Sequence, residues 1–161
     1  MMDKDKILEL LTPIVRTTIV RVYMHPVTFQ LYFQDENVGR LWLNEIDFDG
    51  DDFNEEEINF LGKIKWNTVI DENIKTATGY SKQNGNDDSR GGGCGNLGIP
   101  VEDFSYTITN ETGITIKNIT EIVYRLKGSK YDWWYELFDC INIDKVTNDS
   151  MLFEVTFGYG S

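Results

Sequence analysis

The chain has 161 residues, of which 40% are hydrophobic and 13% aromatic, enough apolar mass for one packed domain and too much for a disordered chain. Its 27 acidic side chains outnumber 15 basic ones and leave a net charge of −12. That balance lacks the basic footprint of a protein that holds a phosphate backbone and disfavours anionic lipid, so neither nucleic acid nor membrane is expected as a partner.

No run approaches the roughly 18 apolar residues of a membrane span. The opening MMDKDKILELLTPIV has no long apolar segment before a small-residue cleavage site, so no signal peptide is expected. Two cysteines, Cys94 and Cys140, form no disulfide framework and point to a reducing, cytoplasmic setting. The single histidine, His25, excludes multi-histidine metal sites and reads as a solvated turn residue before Pro26.

Residues 3–11 read as a short helix with Ile7, Leu8, Leu10 and Leu11 on its apolar side and Pro13 as its stop. Residues 14–24 are β-branched and read as a strand. Val27, Phe29, Leu31 and Phe33 alternate with polar neighbours, and Leu41 and Leu43 continue the pattern after a turn, so an antiparallel meander is expected. A helix follows, with Asn54 as cap, Glu57 closing the box, Phe53 stapling onto Ile58 and Gly62 ending it. Ile64, Trp66, Thr68 and Ile70 alternate as a further strand.

From 71 to 103 the periodicity dissolves into a Gly/Asn-rich loop of unusual length. Phe104, Tyr106 and Ile108 resume a strand, residues 110–113 form a hairpin turn, and Ile114 and Ile116 return. Asn118 and Glu121 then open a second helix whose apolar side is Ile119, Ile122, Val123 and Leu126. Gly128 ends it, with Lys127 near the negative end of its dipole. Residues 133–143 read as a strand apolar on both faces. Met151, Phe153, Val155, Phe157 and Tyr159 alternate in a last strand. Hairpins dominate over alternating strand–helix units, which predicts an α+β fold: a mainly antiparallel sheet built from hairpins, with two or three short helices, in a single domain over 1–161.

Three clusters invite a chemical reading. Asp47, Asp49, Asp51 and Asp52 gather carboxylates around Gly50, as a hard divalent cation requires. The EF-hand register fails, because Asp52 falls where the sharp-turn glycine belongs and Ile58 where the bidentate glutamate belongs. The expectation is an exposed acidic turn with weak divalent-cation affinity at most. Residues 93–98 spell G-x-G-x-x-G, but a polar loop precedes them and Ile99-Pro100 follows, so no helix N-terminus is aimed at a pyrophosphate. Cys94 in the same stretch reads as an inert loop thiol. Trp133, Trp134 and Tyr135 concentrate aromatic surface. Since adjacent strand residues point to opposite faces, one tryptophan is left over for a partner.

No catalytic set, and no cofactor, is expected from this sequence. The function it points to is a non-enzymatic, acidic interaction or structural protein that uses the aromatic strand surface to meet a protein partner or a second copy of itself. The alternative is a carboxylate-based enzyme or carbohydrate-binding domain, since paired Asp and Glu suffice for glycoside hydrolysis.

Overall fold

A computed structural model describes residues 3–16, 63–82, 104–129 and 136–159. The expected strands at 14–24 (beyond Arg16), 27–33 and 40–46, the helix after Asn54, His25, Cys94 and the glycine run at 91–95 lie outside the described residues.

Two helices and six strands occur among the described residues, in the α+β arrangement expected from the hairpin-rich pattern. Helix α1 (Lys4–Arg16) opens on Asp3, whose carboxylate accepts the amide of Asp5 at 3.2 Å. Strands β1 (Val69–Asp71), β2 (Thr76–Tyr80), β3 (Ser105–Thr109) and β4 (Ile114–Thr115) precede helix α2 (Ile116–Ser129). Strands β5 (Glu136–Val146) and β6 (Ser150–Tyr159) follow. The main sheet has the order β3-β2-β6-β5. Its outer pairs are antiparallel, and β2 and β6 run parallel through the centre. β1 and β4 make a separate two-stranded ladder.

Both helices pack on one face of the sheet, α2 over β2 and β3, α1 over β5. Between them lie Ile7, Leu11 and Ile14 of α1, Ile119, Ile122 and Val123 of α2, and Ala77, Met151, Phe153 and Val155 of the strands, all buried. The alternation expected of β6 is present: Met151, Phe153 and Val155 face this core and Leu152 faces away.

Several expectations are corrected. Pro13 does not stop α1, which continues to Arg16. Pro13 cannot donate an amide to the Glu9 carbonyl, at a helix-interior cost of about 3 kcal/mol. Ile14 completes the stripe Ile7–Leu11–Ile14 at full burial, a gain of roughly 1.5–3 kcal/mol that offsets it. The strand expected over 64–70 begins only at Val69, because the Trp66 and Thr68 amides close turns onto the carbonyls of Ile64 and Lys65. The stretch expected to be loop from residue 71 contains β2, the central partner of both β3 and β6. Its alternation is Thr against Ala and Gly, which hydropathy does not register.

The turn at 110–113 is present, held by Asn110 Oδ1 accepting the Thr112 amide and hydroxyl, with Gly113 at φ 108°. It does not close a hairpin: β3 pairs with β2, and β4 pairs with β1. Helix α2 starts earlier than expected. Thr115 is its cap and Asn118 its third residue, each accepting the other's amide, at 3.2 and 3.0 Å. Gly128 lies inside the helix, and Lys127 is buried at 2% exposure rather than set at a solvated end.

Candidate functional site

The face of the main sheet opposite the helices follows from the alternation. Ala77 and Gly79 point to the core, so Thr76, Thr78 and Tyr80 point away from it. They are joined there by Thr107 from β3, Leu152, Glu154 and Thr156 from β6, and Cys140 and Asn142 from β5. The hydroxyls of Thr78 and Thr107 share a hydrogen bond of 2.8 Å across the β2–β3 pair. Leu152, at 36% exposure, is the large hydrophobic residue most open to solvent among the described residues.

One contact spans this face. The Tyr80 hydroxyl on β2 donates to Asp144 Oδ2 on β5, so the phenol reaches across β6, the strand between them. Asp144 lies at a register irregularity between Ile143 and Lys145. Lys4 Nζ, from α1, donates to its backbone carbonyl at 3.0 Å. The hydrogen bond to Asp144, then burial, then the charges of Asp144 and Glu154, push the Tyr80 pKa up to about 12. The phenol is therefore a donor at neutral pH and no base. Glu154 in turn meets Lys82 Nζ at 3.6 Å. Glu154 is thus paired with a cation, while the neutral phenol supplies Asp144 with a hydrogen bond and no charge.

A second irregularity, between Phe138 and Cys140, changes the reading of β5. Strict alternation puts Phe138 and Ile141 on opposite faces and makes the strand apolar on both. The bulge turns both into the core, with Phe138 edge-on to Phe157 at 6.4 Å between ring centroids. Cys140 is left on the open face, where its sulfur lies 3.0 Å from the Thr156 hydroxyl.

The residues singled out from sequence, Trp133, Trp134 and Tyr135 as interaction surface and Asp47, Asp49, Asp51 and Asp52 as metal ligands, lie outside the described residues. Among the described residues no group of three or more His, Cys, Asp or Glu could hold a metal ion, and no helix is long and apolar enough to cross a membrane. Sequence reasoning missed Tyr80 and Asp144. The signal for Tyr80 was the β-propensity of Thr76, Thr78 and Tyr80 at alternate positions. The meeting with Asp144 had none, since it depends on the β2–β6 pairing. Comparison with protein-family models, curated proteins and solved structures found no match.

Proposed function

We propose that this is a non-enzymatic interaction protein, and that the open sheet face engages another protein chain, a second copy being the occupant it fits best. The observation that carries the reading is Leu152, exposed on a sheet face among Thr78, Thr107 and Thr156, with Glu154 paired to Lys82 and Asp144 hydrogen-bonded by Tyr80. Two chains of net charge −12 repel, and a face on which Glu154 is paired and Asp144 hydrogen-bonded is where they can meet with less like-charge contact. Trp133, Trp134 and Tyr135, which directly precede β5 in the sequence, are the aromatic residues we propose for contact with the partner.

A face four strands wide and about five residues long offers on the order of 300–400 Å² per copy. Stable interfaces bury roughly 1,200–2,000 Å² in total, so this association is weak and concentration-dependent. Added salt strengthens it by screening the net repulsion. Light-scattering mass across a concentration series, at low and high salt, tests this. The expected result is a mass rising toward twice the monomer, more so at high salt, and a return to monomer in Leu152→Lys. A monomer at every concentration and salt would remove the reading.

A further inference from the structure

A second stripe runs along α1. Lys6, Glu9, Leu10 and Pro13 recur at i, i+3, i+4 and i+7, rotated away from the core stripe of Ile7, Leu11 and Ile14. Facing it are Lys63, Ile64, Lys65 and Thr68, with Ile116 from the start of α2, and together they line a cleft of about 810 Å³. That is within the range of small-ligand sites, roughly 300–1,000 Å³.

Two chemistries meet in this cleft. Leu10, Pro13, Ile64 and Ile116 present carbon surface. Among the described residues that line it, Lys6, Lys63 and Lys65 stand against one carboxylate, Glu9, an excess of positive charge on a strongly acidic chain. Apolar walls focus that field on whatever enters. The two amides that open α2 beside the cleft are already used: Ile116 donates to the Thr68 carbonyl at 3.1 Å and Lys117 to the Trp66 carbonyl at 2.9 Å. The helix start therefore offers neither of them to a phosphate, and attraction rests on flexible ammonium groups over an apolar floor.

We propose that the cleft binds a small amphiphile with one anionic head and an aliphatic tail, a medium-chain carboxylate being the type. The tail lies on Leu10, Pro13, Ile64 and Ile116, and the head is held by the lysines. The cleft belongs to the helical side of the molecule, opposite the open sheet face, so this binding stands or falls separately from self-association.

The test titrates methyl-labelled full-length protein with decanoate below its micelle-forming concentration. The expected result is saturable shifts centred on the methyl groups of Leu10, Ile64 and Ile116. In Lys63→Glu/Lys65→Glu, both sites exposed, affinity should fall at least about tenfold, as for loss of a steering charge pair. Lys63→Arg/Lys65→Arg should restore it, and decylammonium and inorganic phosphate should not compete. Unsaturable or dispersed shifts, equal binding of decylammonium, or unchanged affinity in the folded charge-reversal variant would each overturn the proposal. If an acidic peptide produced these shifts and decanoate did not, the occupant would be a protein segment and the proposal would fail.

Discussion

Gly79 stands opposite Phe153 in the parallel β2–β6 pair, and its missing side chain is what lets the Phe153 ring and Ile122 of α2 close over the sheet. A Cβ at this position would lie 2.4 Å from Ile122 Cγ2 and 2.8 Å from Phe153 Cζ. Both neighbours are fully buried, so neither can retreat into solvent. Gly79→Ala should destabilise the fold by about 1–3 kcal/mol, the usual cost of overpacking, read as a lower urea midpoint. A Cβ on Gly158, in β6, would meet no atom within 4 Å, so Gly158→Ala should stay within about 0.5 kcal/mol of the parent.

The contrast between β6 and β2 shows what was legible in the sequence. Met151, Phe153 and Val155 alternate with polar or exposed neighbours, and period-two hydropathy locates their strand and its buried face. Thr76 to Tyr80 has the same alternation in space, but its core-facing residues are Ala77 and Gly79, small because α2 crosses there. The pattern that marks a strand is erased where packing demands small residues. Bulges hide in the same way. Phe138 and Ile141, three apart, share a face only because the register shifts between them, and this removes part of the case for β5 as a two-faced interface strand. The Tyr80–Asp144 bond depends on a parallel pairing between segments some seventy residues apart, which no local pattern encodes.

The start of α2 supplies a test of local grammar. Asn118 Oδ1 accepts the Thr115 amide, the Thr115 hydroxyl and the Asn110 side-chain amide, all at 3.0 Å. It joins the cap to the Asn110–Gly113 turn. Thr115→Ala removes the hydroxyl that caps the Asn118 amide and should cost about 0.5–2 kcal/mol. Asn118→Ala should cost at least as much, since it frees donors in both the cap and the turn. Chemical denaturation reads both, and a loss under about 0.3 kcal/mol in each, the noise of such differences, would show that the box contributes nothing.

Lys127 offers a chemical readout of burial. It lies on the stripe with Thr120 and Val123, facing the core, and its side chain is among the largest fully buried ones. Amine-reactive acetylation of the native protein should reach Lys63 and Lys65, both exposed, at once. Lys127 should react at least about tenfold more slowly, because the reagent must wait for local opening. In denaturant the rates should converge. Peptide mass spectrometry resolves the sites, and equal native rates would contradict the burial.

Alkaline titration tests the phenols. Burial first, then the Glu121 charge, pushes the Tyr124 pKa up to about 12, and the Asp144 hydrogen bond first does the same for Tyr80. Each phenol has an ordinary value of 10.0 in the unfolded chain. Between 10 and about 12 the unfolded chain therefore binds fewer protons than the folded one, and stability falls as pH rises. The contribution is complete below 10 and lost through about 12. Phenolate absorbance should show a late-ionising group missing in Tyr80→Phe. That variant removes the donor to Asp144 while leaving Tyr124 in its buried site, so its urea midpoint should fall less steeply with pH above 10 than the parent's. Asp144→Asn removes the largest cause of the shift, and Tyr80 should then titrate clearly earlier than in the parent, with burial and Glu154 still holding it above its ordinary value. If Tyr80 ionises as late in Asp144→Asn as in the parent, the contact across β6 is not what holds its proton.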